Sequence, residues 1–172
     1  MITLPLDTER LRIRPFVPAP DAAPLHELWG DPEAMRFVRP DRVQQSVDDV
    51  RDRLEQLAIR SRDGWGIWAM DELESNRLVG ATGLFPLAWD GPEIELAYHV
   101  VPSRWGRGYA TEAGGALLAA VWRETDLDHV VAVALEANRA STRVMEKLGM
   151  TYGGPMTYRN FDVVRYAIER PR

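Results

Sequence analysis

The stretch from Glu93 to Thr125 limits what this chain can fold into more than any other. Glu93 to Val101 reads as a strand, and Pro102 stops it because its nitrogen cannot donate to a ladder. Tyr109 to about Thr125 reads as a helix. Between them lies Ser103-Arg104-Trp105-Gly106-Arg107-Gly108, a glycine-bearing turn that opens the helix. A helix N-terminus has unpaired N–H groups and a partial positive charge, so anions bind there. Gly106 and Gly108 let the backbone bend toward a ligand without Cβ interference, and Arg104 and Arg107 can add charge-assisted bonds to phosphate oxygens.

Three phosphate-binding loops compete for this pattern. A P-loop needs Gly-Lys-Ser/Thr, whereas Gly108 is followed by Tyr109-Ala110. A dinucleotide fingerprint needs a small third residue and an early βαβ unit, but position 111 is Thr and the loop arrives two-thirds of the way along. The third is the diphosphate arm of coenzyme A on the first amides of a helix. A plain glycine-rich turn explains the same residues. In the helix that follows, Ala110, Ala113, Leu117, Leu118 and Val121 form an apolar stripe. Gly114 and Gly115 each cost about 1 kcal/mol relative to Ala, so the sheet or a ligand packs very close there.

The rest of the chain frames that unit. Leu11 to Val17 alternates as a half-buried strand, with Pro15 pointing to a sheet edge. Asp21 can cap a short helix reaching Trp29, ended by Gly30-Asp31-Pro32, and Ser46 to Arg62 forms a longer amphipathic helix. Trp65 to Met70 and Leu78 to Leu87 flank a turn at Glu74-Ser75-Asn76. His129 to Leu135 is a buried strand, Ser141 to Leu148 a short helix closed by Gly149 in a left-handed cap. Thr151 to Arg159 and Asp162 to Glu169 make a terminal antiparallel pair. One α/β domain covers residues 1–172, with no linker or repeat to divide it.

Composition removes several classes of function. Cysteine is absent, which excludes disulfides, thiolate metal sites and a cysteine nucleophile. Three scattered histidines offer no metal-ligand spacing, so no metal is expected. A net charge of −5 without a basic run argues against nucleic acid and would suit a cationic amine, or simply keep the protein soluble. No apolar run approaches the roughly 20 residues of a membrane span, and Met1 to Pro5 lacks a signal-peptide layout. These features point to the cytoplasm.

After the buried strand comes Glu136-Ala137-Asn138-Arg139-Ala140-Ser141-Thr142-Arg143-Val144-Met145-Glu146-Lys147-Leu148-Gly149-Met150. Residues 103–113 resemble the acetyl-CoA motif of the GNAT superfamily of N-acetyltransferases, and Asn138 to Met150 resembles the Asn-x-x-Ser helix that follows it. Glu9 to Arg14 and Ile94 to Val100 resemble the branch that acetylates ribosomal-protein N-termini (the Rim-type enzymes). The resemblance covers nearly the whole chain. It implies a mixed α/β sheet of about seven mostly antiparallel strands with flanking helices and a central splayed parallel pair. It implies that pantetheine lies in that gap against Val100 and Val101, and that Arg104, Trp105, Gly106, Arg107, Gly108, Tyr109, Ala110 and Thr111 hold the diphosphate. Asn138 and Arg143 would complete the coenzyme A site, with Ser141 facing the thioester sulfur; a turn residue and a helix N-cap are the alternative readings of Asn138 and Ser141. Position 103 is Ser where many members carry Gln or Arg, and Met145 stands where some relatives use Tyr to protonate the thiolate, which leaves that step to Ser141, a water or solvent.

Attack of an amine on a thioester needs a neutral amine, and a general base contributes typically about 10²–10⁴-fold. Glu95 is the first candidate, sharing a strand face with Ala97 and His99; His99 is a second, and a structural ion pair is the alternative for Glu95. A backbone N–H near Val100, left unpaired where the strands part, would polarise the carbonyl by ~3 kcal/mol. Trp29, Met35, Phe37, Trp65 and Trp89 are candidate acceptor walls. The expected acceptor is a protein N-terminus or a small amine, and the protein is a possible homodimer. A catalytically silent acetyl-CoA sensor is the competing function, because a fold does not fix an activity.

Overall fold

The structure is a computed structural model describing residues 2–38, 43–61 and 64–172. Met1 and Arg62 therefore lie outside the described residues. In chain order the elements are β1 (Leu6–Asp7), β2 (Leu11–Arg14), α1 (Pro18–Trp29), α2 (Pro32–Met35), α3 (Val47–Arg60), β3 (Gly66–Glu72), β4 (Arg77–Pro86), β5 (Ile94–Val100), α4 (Tyr109–Glu124), β6 (His129–Leu135), α5 (Arg139–Lys147), β7 (Thr151–Tyr158) and β8 (Phe161–Glu169). Short 3₁₀ turns occupy Leu87–Trp89 and Pro102–Arg104. The eight strands form one sheet in the order β1-β2-β3-β4-β5-β6-β8-β7, antiparallel except where β5 meets β6.

The fold class matches the expectation, with one strand more because the two-residue β1 adds to the edge of β2. Pro15 consequently lies past the end of an interior strand and does not mark an edge. Asp21 does not cap α1 at its N-cap position. It is buried, accepts from the Val17 N–H at 2.7 Å and pairs with Arg14 at 2.8 Å, tying the first turn of α1 to β2. The turn at Gly30-Asp31-Pro32 both ends α1 and starts α2, since the Asp31 side chain accepts from Glu33 and Ala34 and Pro32 occupies the first helical position. Ser46 caps α3 through the Asp49 N–H.

Helices cover both faces. The Arg53 charge of α3 acts on His99, whereas a Cβ on Gly114 of α4 would meet Leu96 and Leu148. Residues 96 and 99 point to opposite faces of β5, so α3 and α4 lie on opposite sides of the sheet. Gly114 thus exists for close packing of α4 on β5 and on Leu148 just beyond α5. The outer strand β7 carries Pro155 and an irregularity between Tyr152 and Gly154.

Candidate functional site

β5 pairs with β4 along its full length, from Ile94↔Pro86 to Val100↔Gly80. Its parallel pairing to β6 is confined to Glu95↔Val131, after which β6 is held by β8 alone. The strands therefore part beyond Glu95. The Val101 N–H donates to the Val79 carbonyl at 2.9 Å. Amides alternate between the two edges of a strand, so those of Val100 and Tyr98 face the opening. The Trp105 indole N–H donates to the Val100 carbonyl at 2.6 Å, occupying one acceptor on that edge.

The loop beyond β5 is built as a cradle. Gly106 and Gly108 have φ of +75° and +83°, a conformation side chains disfavour, and a Cβ on Gly106 would meet nothing within 4 Å. Gly108 is the N-cap of α4, which receives no side-chain cap, and Glu112 is the first residue to donate to a helix carbonyl, that of Gly108 at 3.0 Å. The amides of Tyr109, Ala110 and Thr111 thus head the helix without intrahelical partners. Arg104 is engaged elsewhere, with Glu72 at 3.2 Å, and the buried Tyr109 hydroxyl donates to the same carboxylate. Ser75, Tyr109 and Arg104 together hold the Glu72 carboxyl down at about 2. Arg10 pairs with Glu112 at 2.5 Å and donates to the Arg107 carbonyl at 3.0 Å, fixing the loop to the N-terminal strands. Trp105 and Arg107 are exposed.

A cavity of about 210 Å³ takes lining from both faces of β5: Leu96 and Tyr98 on one, Glu95, Ala97 and His99 on the other. It therefore runs through the opening between the strands. Glu95, 6% exposed, sits where the strands diverge. Its carboxylate accepts from the Tyr158 hydroxyl at 2.9 Å. Burial pushes this carboxyl up to about 7, with Tyr158, Arg159 and an Ala88 backbone bond partly opposing the rise. Burial and the Arg53 charge push His99 down to about 4, so it is neutral and a weak base at pH 7.

On the other face, Asn138 is the N-cap of α5 and accepts from the Ser141 N–H at 3.1 Å. Ser141 is one turn inside the helix, so the cap belongs to Asn138. Asn138, Ser141 and Met145 all line the cavity, while Arg143 is exposed on α5. Reasoning from sequence missed Tyr98. Its hydroxyl lies 3.1 Å from both the Ser141 Oγ and the Ser141 carbonyl, and burial pushes it up to about 12. A polar side chain alternating with Leu96 and Val100 on the α4 face of β5 was the available signal.

Tyr158 and Arg159 were missed as well. Ala88, Trp89, Arg159 and Asn160 have φ of 58°, 73°, 50° and 68°, and each side-chain-bearing residue held there costs roughly 1–2 kcal/mol. The Arg159 guanidinium donates to the Ala88 carbonyl at 2.6 Å, joining the β7–β8 turn to the turn after β4. Among the expected walls, Phe37 and Trp89 line the cavity, Trp29 and Met35 are wholly core, and Trp65 packs against the core.

The mixed sheet thus opens at a buried carboxylate, beside a helix start without a side-chain cap. The chain belongs to the acetyltransferase (GNAT) domain family, whose model matches residues 10–151. It is 25% identical over 174 residues to the uncharacterized N-acetyltransferase YoaA of Bacillus subtilis (strain 168), covering 97% of each chain. A GNAT-family acetyltransferase from Bacillus anthracis superposes with a TM-score of 0.81 at 27% identity, over 96% of this chain and 98% of that one. RimL, a ribosomal L7/L12 α-N-protein acetyltransferase solved with coenzyme A, shares the fold, with a TM-score of 0.77 at 19% identity over 94% and 95% of the two chains. Among the described residues, no helix is long and apolar enough to cross a membrane, and no group of three His, Cys, Asp or Glu could hold a metal ion.

Proposed function

We propose that this protein transfers the acetyl group of acetyl-CoA directly to a primary amine, with Glu95 as general base. The observation that carries the reading is a buried carboxyl, pushed up to about 7 by burial, at the point where β5 and β6 part. A base serves best when its pKa lies near the working pH.

The residues present fit coenzyme A. The free amides of Tyr109, Ala110 and Thr111, with the positive-φ glycines 106 and 108, suit a diphosphate, and the open edge of β5 at Tyr98 and Val100 suits an amide-bearing arm. Exposed Arg107 and Arg143 can add charge, and Asn138 and Val101 border the arm. When bound, acetyl-CoA supplies the electrophilic thioester carbonyl. Glu95 takes a proton from the acceptor ammonium or amine, directly or through water, and Tyr158 holds the carboxylate in place for it. The nitrogen–carbonyl bond forms as the carbon–sulfur bond breaks, and the Val100 amide can bond the carbonyl oxygen. Met145 has no proton to give, so the departing thiolate takes its proton from water or solvent, either directly or relayed through the touching Tyr98 and Ser141 hydroxyls, while the proton on Glu95 returns to solvent.

Known GNAT acceptors include protein N-termini and small amines, and we read the acceptor here as one of these, met in the cytoplasm. Thiol release from acetyl-CoA, measured across N-terminal peptides and small amines, tests the reading. Release stimulated by an amine and lost in Glu95→Gln supports it. Tight acetyl-CoA binding with no amine-stimulated release, and no effect of Glu95→Gln, would leave a sensor of the cofactor instead.

A further inference from the structure

The protein carries a net charge of −5, yet the described lining of its cavity holds three arginines and a single carboxylate. Among the described residues, Arg53, Arg60 and Arg159 line it, and Glu95 is the one acidic residue of the lining. Arg60, in the last turn of α3, stacks over the Trp89 ring at 5.8 Å, and Trp89 in turn stacks on Phe85 at 4.6 Å between centroids. Arg159 stacks over the Tyr158 ring at 5.5 Å, and that tyrosine holds Glu95. Among the described residues, neither Arg60 nor Arg159 forms a salt bridge, although ten are formed elsewhere, and the Arg159 charge acts on Glu95 from a distance. Both cations lie on the α3 face of the sheet with Glu95, opposite Ser141 and Asn138, so they address the acceptor and not the diphosphate cradle.

Arg60 is presented by the end of α3, and Arg159 by the β7–β8 turn. Trp89, under Arg60, and Arg159 itself both adopt left-handed conformations, and the Arg159–Ala88 bond locks the two turns together. At the β7–β8 turn the shape belongs to the hairpin itself, since Arg159-Asn160 is its two-residue loop and such a turn needs positive φ at both positions. Flat guanidiniums backed by aromatic rings are preorganised for oxyanions, which they bind through paired N–H donors.

We infer that the acceptor is a small primary amine bearing a carboxylate or phosphate group, with the anion received by Arg60 and Arg159 while the amine meets Glu95. This rests on the acetyltransferase reading above and narrows its acceptor. It reverses what the overall charge suggests, because a polyamine would place its second cation against two guanidiniums. Like charges at such a distance are mutually destabilising.

Matched pairs test the inference: an α-amino acid against its amide, and phosphoethanolamine against ethanolamine, with putrescine as the cationic arm. The expected result is at least a tenfold higher kcat/KM for one anionic member over its neutral partner. Which pair shows it separates carboxylate from phosphate. Arg60→Gln and Arg159→Gln should each shrink that ratio severalfold while coenzyme A affinity stays unchanged, and Arg159→Lys should retain part of it. Titrating the protein with the N-acetylated products, followed by tryptophan fluorescence, should show the same anion preference without turnover. Equal or greater activity on ethanolamine and putrescine, or a ratio unmoved by both Gln variants, overturns the inference while leaving acetyl transfer intact. Absence of thiol release with every amine overturns both.

Discussion

Replacing Glu95 with Gln should move activity and stability in opposite directions. The carboxyl rises from 4.5 to about 7 on folding because burial disfavours its charged form. A raised folded-state value means the folded protein holds the proton more tightly than the unfolded chain. The contribution to stability is therefore full below about 4.5 and is lost as pH climbs through about 7. At 1.36 kcal/mol per pH unit the loss amounts to about 3 kcal/mol by pH 8. Gln cannot ionise, and its side-chain oxygen can still accept from Tyr158. Urea unfolding at pH 5 and pH 8 should show wild-type stability falling more steeply than that of the variant, by up to about 3 kcal/mol. Over the same range, thiol release should fall by about 10²–10⁴-fold in the variant. Wild-type kcat/KM should rise through about pH 7 as the carboxylate forms. A variant that loses stability equally at both pH values, or one that keeps wild-type turnover, would refute the link between burial and basicity.

Other substitutions isolate the remaining parts. Gly108→Val forces a β-branched residue to φ +83°, and should weaken coenzyme A binding at least tenfold by calorimetry while far-UV circular dichroism stays native. Tyr98→Phe should lower kcat by about 10²-fold without changing coenzyme A affinity; an unchanged kcat would remove Tyr98 from the proton path. Glu72→Gln removes the charge that pairs with Arg104 and one of the two oxygens shared by Tyr109, Arg104 and Ser75, and should destabilise the fold by about 1–3 kcal/mol in thermal unfolding. Glu72 lies below its ordinary value of 4.5, so its contribution is present above that pH and fades as pH falls toward about 2; the variant should lack that part of the acid transition.

Local signals explain which parts of the molecule could be read without coordinates. β6 was legible to the residue because an unbroken Val/Ala run of five, between His129 and Leu135, has few other uses. α4 was legible because its glycine start and apolar stripe agree. The first turn of α1 was misassigned because Asp21 answers to Arg14 and Arg14 to Asp71, a partnership no local pattern announces. At the site, Glu95 and the glycine loop lie on recognisable motifs, whereas Tyr158 is 63 residues from the carboxylate it holds. Arg159 is 71 residues from the carbonyl it binds. Such pairs are created by the strand order β6-β8-β7, which brings the last hairpin around to the cavity.

That same hairpin and the opposite border of the sheet leave little for another strand to join. β1 offers two residues, and β7 presents a proline with no donor and a backbone thrown out of register near Gly154. Growth of the sheet by addition of a neighbour's strand is obstructed at both ends. Any assembly of copies would have to meet through helices or turns, and fibre-like stacking of the folded protein is disfavoured at its source.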